Sequence, residues 1–339
     1  MENWKDSYVR DILSTHLLTQ IPLSPRRNYA SIVVLREFES TAVLTTEGER
    51  LDVEVVRAGQ KQTELISRVL LQKRKQVAME RRTGRAFNRK LGWADECDFM
   101  SKMCGSCPDC LIYGFAASSS EGSQKSRILT DSGFSIRPYD ALQRSITLNA
   151  IQDRTQGGVA GSAFAEREHI RPQAYFPTIE TAVDVTPSEF AYILRNILTT
   201  TRYGAENQRQ GFVKNHLVAL LFGETEVISN LALVQHLYDR LAEENSGSIN
   251  EVPLDLQTLK TRMEELLSDI AEEAYLPVQL YTGESLQNIL QGLRFLWRNE
   301  EAKHEWLQEL KNDQQTYLEK RENKGKKEKK GKGKKKEES

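Results

Sequence analysis

The clearest pattern of hydrophobic and polar positions lies in Tyr175–Phe222. Ala182–Val185 predicts a strand, and it leads into Thr186–Glu189, a capping box with threonine at the N-cap, proline at the first helical position and glutamate at the third. The apolar residues that follow recur at the spacing of one helical face: Phe190, Ile193, Leu194, Ile197 and Leu198. After a turn at Gly204, a second strand is predicted at Phe212–Phe222. The segment is therefore predicted to be a β-α-β unit of an α+β sheet.

The preceding part of the chain predicts a long β-hairpin over Ala30–Arg57. Ser31–Leu35 is apolar and β-branched, Thr46–Glu49 suits a turn, and Leu51–Val55 alternates between apolar and polar residues with period two. These two strands are expected to pair with each other and to join the sheet of the β-α-β unit.

The middle of the chain predicts one helix and several short elements. Gln60–Arg82 fits a helix with an outer side rich in Lys and Arg, and Gly84 suits its end. Short strands are predicted at Arg127–Thr130 and Ile146–Ile151, and the glycine-rich Gln156–Ser162 predicts a turn.

Beyond Gly223 the pattern changes to helices separated by Gly and Pro. Four helices are predicted, at Glu224–Leu241, Leu254–Tyr275, Ser285–Arg298 and Glu300–Lys320. The end of the chain contains almost only Lys, Gly and Glu, a composition that cannot bury a core and predicts disorder. The predicted organisation is an N-terminal segment (1–26), a core (27–222) with a metal loop (91–114) and a hairpin (145–182), a helical region (223–322) and a disordered Lys-rich tail (323–339).

Charge is strongly segregated although the net charge is only −1. Arg57–Lys90 contains eleven Lys or Arg and two Glu, and Lys320–Ser339 contains eleven Lys or Arg and four Glu. Between them, Gln235–Glu319 has seven basic and seventeen acidic residues. Blocks of alternating sign indicate that one region faces a polyanion while another avoids it.

All four cysteines lie within fourteen residues, in the spacing C-x6-C-x2-C-x2-C: Cys97, Cys104, Cys107 and Cys110. Four thiolates on one short loop suit a closed tetrahedral site for structural zinc. Two alternatives stay open: four reduced thiols in a turn, or an iron–sulfur cluster, because the last three cysteines match the run of bacterial ferredoxins.

Other classes of protein are disfavoured by what the sequence lacks. No apolar run reaches the roughly 20 residues that span a bilayer, and the charged start does not suit a signal peptide, so a cytoplasmic protein without membrane contact is expected. The five histidines are scattered, and neither a phosphate-binding loop nor a G-x-S-x-G motif is present. We therefore predict no catalytic residues.

Cationic side chains are the candidates for contacting RNA, since each can neutralise a phosphate and release its counterions. Most lie on the predicted basic helix or beside glycine-rich turns, where a backbone can approach a phosphate closely. The alternative for each is an ordinary solvated surface. The candidates are Arg68, Lys73, Arg74, Arg81, Arg82, Arg85, Arg89, Lys125, Arg127, Arg154, Arg167, Arg171, Arg202, Arg209 and Lys214.

Four motifs stand in an order that resembles the repeat-associated RNA-binding proteins of CRISPR systems. Cys107–Gly114 resembles the family's C-x-x-C-x-L-F-G element, and Ser126–Asp131 resembles the strand that follows it. Asp153–Ala160 is similar to the D-R-x-T-G-x-A stretch, and Gly204–Val213 is similar to the late glycine-rich segment. Length, motif order and the acidic helical C-terminal half are most similar to the backbone subunit of the type I-D Cascade effector.

The resemblance implies an RRM-like (ferredoxin-like) antiparallel sheet of β-α-β-β-α-β order. It implies sequence-independent binding of CRISPR guide RNA in an antiviral ribonucleoprotein, by copies of the chain that form a helical filament with other Cascade subunits and target nucleic acid. It also implies a β-hairpin thumb that kinks the RNA, for which the region around Arg154 is the candidate. Two features depart from the family: Arg82–Ala86 replaces its G-S-x-x-K-G helix start, and no loop aspartate matches the one that cleaves target RNA in type III relatives, Asp52 being the nearest acidic residue.

Two other functions remain possible at this stage. A backbone subunit that also cuts the target strand would cleave at regular intervals, and one acidic substitution would abolish the cleavage. A zinc-stabilised protein-interaction module would purify free of nucleic acid.

Overall fold

The structure is a computed structural model, and it describes residues 3–46, 48–99, 101–116, 123–148, 165–206, 209–244, 249–250 and 253–337. The strands are β1 (Tyr29–Phe38), β2 (Val53–Arg57), β3 (Leu65–Leu71), β4 (Ile128–Thr130), β5 (Gly133–Pro138), β6 (Gln143–Leu148), β7 (Ala165–Ile170), β8 (Ala174–Val183), β9 (Arg202–Tyr203), β10 (Gly211–Gly223) and β11 (Gln279–Tyr281). The helices are α1 (Tyr8–His16), α2 (Lys73–Lys90), α3 (Pro108–Tyr113), α4 (Tyr139–Leu142), α5 (Pro187–Thr199), α6 (Asn230–Glu244), α7 (Leu256–Glu273), α8 (Gly283–Arg298) and α9 (Glu300–Glu337).

The central sheet has the strand order β11-β10-β1-β8-β4, and every neighbouring pair is antiparallel. Since β8 and β10 both run antiparallel to β1, they run parallel to each other with β1 between them. Helix α5 connects them, which confirms the predicted β-α-β unit in its split form. The predicted capping box is also present: the Thr186 hydroxyl accepts from the Glu189 amide, and the Glu189 carboxylate accepts from the Thr186 amide.

Both faces of this sheet are covered, because successive side chains of β1 point to opposite sides. Ile32 and Val34 belong to a core shared with α5, α8 and α9. Val33 and Leu35 belong to a second core shared with α6 and α7. The acidic helices therefore pack directly on the sheet.

The predicted hairpin over Ala30–Arg57 is wrong. β1 pairs with β8 and β10, whereas β2 pairs with β3 in a separate sheet of order β2-β3-β5. A run as apolar as β1 is buried on both faces, and this burial suits a central strand with two long neighbours. The alternation of Leu51–Val55 indicated a strand correctly but carried no information about its partner.

The predicted helix over Gln60–Arg82 is half wrong, because residues 65–71 form β3 and the helix is α2, Lys73–Lys90. Gly84 does not end the helix but lies inside it. A Cβ at Gly84 would lie 2.5 Å from Nδ2 of Asn196 and 2.6 Å from Oη of Tyr192, so this glycine allows α2 to pack closely on α5.

The predicted strand at Arg127–Thr130 is confirmed as β4, and the strand predicted at Ile146–Ile151 corresponds in part to β6. β6 pairs with β7 as a two-stranded hairpin within the predicted thumb region. The connection between them, with Arg154 and the predicted turn Gln156–Ser162, lies outside the described residues.

The predicted helices after Gly223 are confirmed as α6 to α9, and β11 lies between α7 and α8. α9 extends to Glu337 and so includes most of the Lys-rich segment for which the sequence predicts disorder. Lys and Glu are good helix formers, so this segment can be helical without burying a core. Among the described helices, none has a stretch long and apolar enough to span a membrane.

Candidate metal centre and nucleic-acid interface

The four cysteines form one compact cluster, as predicted. Their Sγ atoms all lie within 4.8 Å of one another. Cys97 and Cys110 are 3.6 Å apart, Cys104 and Cys110 are 3.8 Å apart, and Cys97 and Cys107 are 3.8 Å apart. Zinc with Zn–S bonds of about 2.3 Å has tetrahedral sulfur–sulfur edges of about 3.8 Å. The sulfurs are therefore spaced for one tetrahedral ion.

Backbone amides also point at the sulfurs. The amide of Cys104 donates to Sγ of Cys97 at 3.4 Å, and the amide of Cys107 donates to Sγ of Cys104 at 3.3 Å. Such hydrogen bonds stabilise thiolates, the form in which cysteine binds a metal. A multi-iron cluster would need the sulfurs to stand farther apart, because its iron and sulfide atoms would lie between them.

Asp109 fastens the metal loop to α2. Its carboxylate is fully buried and accepts from Nε and Nη2 of Arg81, at 3.1 and 2.9 Å, and from Nη1 of Arg85 at 3.2 Å. Burial acts to lower the pKa of Arg81, but the hydrogen bonds and the charge of Asp109 outweigh it and raise this pKa. Arg89 adds a third link, from its Nη2 to the carbonyl of Cys97 at 3.0 Å.

These three arginines are spaced by four residues and so lie along one side of α2. They border a groove of about 530 Å³ between α2 and the metal loop, named here the α2 groove. It is lined by Arg74, Val77, Ala78, Arg81, Arg82, Arg85, Arg89, Asp98 and Phe99. The side chain of Phe99 is 62% exposed, and its ring lies 5.9 Å from Cζ of Arg81. The α2 groove therefore offers five guanidinium groups beside an exposed aromatic ring, which suits phosphates with a stacked base.

Not all five arginines are equally available. Arg81 and Arg85 are mostly buried and engaged by Asp109, with side chains 13% and 10% exposed. Arg74 and Arg82 are exposed and have no ion pair among the described residues. Arg81, Arg85 and Arg89 thus link α2 to the metal loop, whereas the guanidinium groups of Arg74 and Arg82 make no such link within the described part of the chain.

The sequence predicts an RNA contact for Arg68, and the structure corrects this. Arg68 is fully buried, and its guanidinium donates to the carbonyls of Ala58, Ser135 and Ile136. Burial lowers its pKa to about 10. Arg68 lies in β3, whose burial was missed when this segment was assigned to an amphipathic helix.

Arg127 is also occupied within the protein. Its guanidinium makes a bidentate ion pair with Glu189 and donates to the carbonyl of Asp184 at 3.0 Å. Only 11% of its side chain is exposed. Arg127 therefore joins β4 to the start of α5, and a structural role replaces the predicted RNA contact.

Five of the remaining predicted cations lie on or next to β7, β9 and β10. Arg82 and Gln210 both contact the sulfur of Met79, which places α2 beside the start of β10. Several predicted cations are near this point. Arg202 lies over the ring of Phe212. Arg167 and Arg209 both form ion pairs with Glu206. Arg171, just after β7, and Lys214, on β10, are exposed. Lys73 is exposed at the start of α2, Lys125 is exposed next to β4, and Arg154 lies outside the described residues.

One buried network was missed by reasoning from sequence. Arg36, in the middle of β1, is fully buried and pairs with Glu80 of α2, at 2.9 Å, and with Glu180 of β8. Burial and repulsion from Glu80 raise the pKa of Glu180 well above its usual range, against the attraction of Arg36. An arginine inside an apolar strand was the available signal. This network holds α2 against the sheet.

Comparison with known proteins gives the family. The model of the family described as Csc2 Crispr matches residues 16–307. Among solved structures, the chain is similar to the crystal structure of Thermofilum pendens Csc2, with a TM-score of 0.56 and 16% identity over 90% of this chain and 94% of that chain. It also matches a CRISPR RNA-guided surveillance complex, with a TM-score of 0.45 and 8% identity over 75% of this chain and 89% of that one. No curated protein matches.

The likeness to Thermofilum pendens Csc2 concerns the fold: a mixed arrangement of helices with antiparallel sheets. The family match is independent of that likeness and covers well over half of the chain. This protein therefore belongs to the Csc2 family of CRISPR proteins.

Proposed function

We propose that this chain binds CRISPR guide RNA through the α2 groove, without reading its sequence, as the repeated backbone subunit of a type I-D Cascade complex. The observation that carries the proposal is the α2 groove itself, in which arginines line one side of a helix beside an exposed Phe99. Guanidinium groups neutralise phosphates whatever the base, and an aromatic ring stacks on any base. Membership of the Csc2 family supports the guide as the ligand.

The sheet supports an RRM-like core as part of this proposal. Taken in chain order, β1, α2, β4, β8, α5 and β10 give the order β-α-β-β-α-β, and the four strands stand as β10-β1-β8-β4. Unlike an open RRM sheet, both faces are covered by helices or by the β2-β3-β5 sheet. RNA would therefore bind beside the sheet, along α2, rather than on its face.

We propose structural zinc as the ion of the cysteine cluster. Cys97, Cys104, Cys107 and Cys110 supply four sulfurs, which leaves no open position for a reacting ligand. The ion would hold the wall of the α2 groove, since Asp109 lies between two of its ligands. A reducing cytoplasm would keep these thiols available for a metal.

We further propose that the chain binds without cutting. The carboxylate of Asp52 accepts hydrogen bonds from the Thr46 hydroxyl and from Nε2 of Gln72, the latter at 3.0 Å, and these contacts give it a role in the loop. Replacing Asp52 with Asn should leave any target cleavage by an assembled complex unchanged. Loss of cleavage at regular intervals in D52N would instead assign the chain the cutting role.

The binding proposal is tested by removing the two free arginines of the α2 groove. In the double variant Arg74→Gln/Arg82→Gln, each lost phosphate contact should reduce the slope of log K against log salt by about 0.7 and weaken binding about fivefold at 0.1 M salt. The measurement is fluorescence anisotropy of a labelled guide RNA over a salt titration. The control is Arg298→Gln/Lys311→Gln, which removes the same charge from exposed positions of α8 and α9. Equal affinity and slope in both double variants would contradict the proposal.

A further inference from the structure

A second cationic cleft shares no lining residue with the α2 groove. It has a volume of about 830 Å³ and is lined by four segments distant in sequence: the loop before β1, the segment that leads into β4, the end of β8, and the middle of α9. We name it the α9 cleft. Its lining residues are Pro22, Leu23, Ser24, Pro25, Arg27, Tyr29, Ser123, Gln124, Lys125, Ser126, Arg127, Leu129, Val183, Asp184, Tyr317, Arg321 and Lys324, and none of them lines the α2 groove.

The charge in this cleft is uncompensated. Arg27, Lys125, Arg321 and Lys324 come from three of these segments, and none of them has an ion pair among the described residues. One carboxylate lines the cleft, that of Asp184, and its two oxygens accept from the amides of Arg26 and Asn28, at 2.8 and 2.9 Å.

The chain holds Arg27 outward by a specific backbone arrangement. Arg27 has a positive φ of 62°, and Asp184, which binds the amides on either side of it, has a φ of 55°. Residues other than glycine adopt this left-handed region at a cost, and such strain collects at functional sites. The two hydrogen bonds to the buried Asp184 offset this strain and hold the backbone on either side of Arg27, whose exposed side chain lines the cleft.

The opposite wall is also built tightly. Gly114, at the end of α3, has a φ of 79°, and a Cβ there would lie 2.6 Å from both the Gln124 carbonyl oxygen and the Ser126 amide nitrogen. This glycine therefore lets α3 pack against the backbone that carries Lys125. On α9, the Tyr317 hydroxyl donates to Oε1 of Gln124 at 2.9 Å, which fixes the helix one turn before Arg321.

Part of the lining of the cleft is apolar. Leu23 and Leu129 are each 41% exposed, and Tyr29 is half-buried beside them. Four free cations around exposed apolar groups make an electrostatic funnel with surfaces for bases, as in proteins that bind single strands. From the rim, α9 continues into the Lys-rich segment, which adds cations but no apolar residue to anchor a protein partner.

We propose that the α9 cleft is a second binding site for single-stranded nucleic acid, separate from the α2 groove. The inference goes beyond the proposed function, which concerns the α2 groove alone. Two sources share the required chemistry, a single-stranded phosphodiester chain. One source is a further stretch of the guide, and the other is a separate strand.

The test counts short strands on the full-length protein. A labelled oligouridylate, too short to reach both sites, should bind with a stoichiometry of two in the unaltered chain. In Arg27→Gln/Lys125→Gln the stoichiometry should fall to one at 0.1 M salt, because loss of two phosphate contacts weakens the cleft about 25-fold. Arg321→Gln/Lys324→Gln should have the same effect from the other wall, and the control Arg298→Gln/Lys311→Gln should still bind two.

The outcomes separate this inference from the proposed function. Two strands bound by both cleft variants would overturn the α9 cleft. One strand bound by the cleft variants, together with two bound by Arg74→Gln/Arg82→Gln, would support the cleft and overturn the α2 groove. Once a guide-length RNA is bound, uptake of a further labelled strand identifies a separate strand as the occupant. Exclusion of that strand, with guide affinity lowered in the cleft variants, identifies the guide.

Discussion

The α2 groove and the α9 cleft are both cationic, yet their charges are held in different ways. In the α2 groove the arginines follow one another along a single helix, and three of them donate to Asp109 or to the carbonyl of Cys97 in the metal loop. In the α9 cleft the cations come from three distant segments and have no ion pair among the described residues. The first arrangement is local and depends on a metal loop, whereas the second depends on how the whole chain packs.

This difference determines which of the two sites can be anticipated from the sequence. A run of Lys and Arg on one helix is visible in the sequence, so the α2 groove could be anticipated. Arg27, Lys125 and Arg321 lie far apart in the sequence, and they form a site only because the segments that carry them meet in the fold. The two sites should therefore respond differently to damage.

The largest difference is expected when Cys107, one of the four proposed zinc ligands, is changed to Ser. Loss of one of four sulfurs should release the ion, lower the free energy of unfolding by about 3 kcal/mol or more, and weaken the α2 groove more than the α9 cleft. Metal content by mass spectrometry, thermal unfolding and strand stoichiometry measure the three effects. A variant that keeps its stability without metal would show that the cysteines are only buried thiols.

A smaller effect is expected for Asp109→Asn, which keeps the shape of the side chain but removes its charge. Arg81 and Arg85 would then be left partly buried without a counter-charge, at a cost of about 2 to 3 kcal/mol. The metal should stay bound, since no sulfur is lost. Chemical denaturation and metal analysis together separate this change from C107S, and loss of metal in D109N would mean that Asp109 supports the ion directly.

Next in size is Gly84→Ala, which tests the packing of α2 on α5. The added methyl group would lie 2.6 Å from Oη of Tyr192 and 2.5 Å from Nδ2 of Asn196, which is closer than van der Waals contact. Overpacking of this kind costs about 1 to 3 kcal/mol. The neighbouring exposed residue Ala86 offers a control in the opposite direction, as Ala86→Gly lowers helix propensity without any contact to α5. Greater stability in G84A than in A86G would contradict the close approach.

The smallest effect is a pH dependence of stability that arises where α9 meets the start of α5. Asp313 of α9 accepts hydrogen bonds from the hydroxyls of Thr186 and Ser188, both at 2.7 Å, and burial raises its pKa to about 6. The folded state then binds the proton of Asp313 more tightly than the unfolded chain does. The stability gained from this proton is therefore fully present below about pH 4 and is lost as the pH rises through 6.

The expected loss between pH 4.5 and pH 7.5 is about 1 to 2 kcal/mol of unfolding free energy. Asp313→Asn should remove this part of the dependence, as the amide does not titrate. Denaturation curves across the pH range compare the two proteins. Parallel pH profiles for the variant and the unaltered chain would show that Asp313 does not titrate in this range.

The parts of the fold that could be predicted are those that local sequence determines. The capping box at Thr186, the apolar face of α5 and the cysteine cluster depend on residues close together in the chain, and all were correct. The partner of β1 could not be predicted, because pairing is decided by which strands lie beside it in space. The same limit explains Arg68, whose burial follows from β3 packing under α6 and not from its neighbours in sequence.

The candidate site shows a similar division. The sequence identified the arginines of α2 as a candidate site but did not show that they have different roles. Those roles depend on Asp109, which contacts Arg81 and Arg85 because α3 lies against α2. The i, i+4 spacing of Arg81 and Arg85 opposite an aspartate between two cysteines was the available signal. With that contact known, Arg74 and Arg82 become the residues to change when RNA binding is tested.

The most direct test of the central claim is photo-crosslinking of guide RNA to the full-length protein, followed by mass spectrometry of the crosslinked peptides. Binding along the α2 groove predicts crosslinks at Phe99 and in peptides of α2, with a strong loss of these crosslinks in Arg74→Gln/Arg82→Gln. A guide that crosslinks efficiently elsewhere, while Phe99 and α2 stay unmodified, would contradict it.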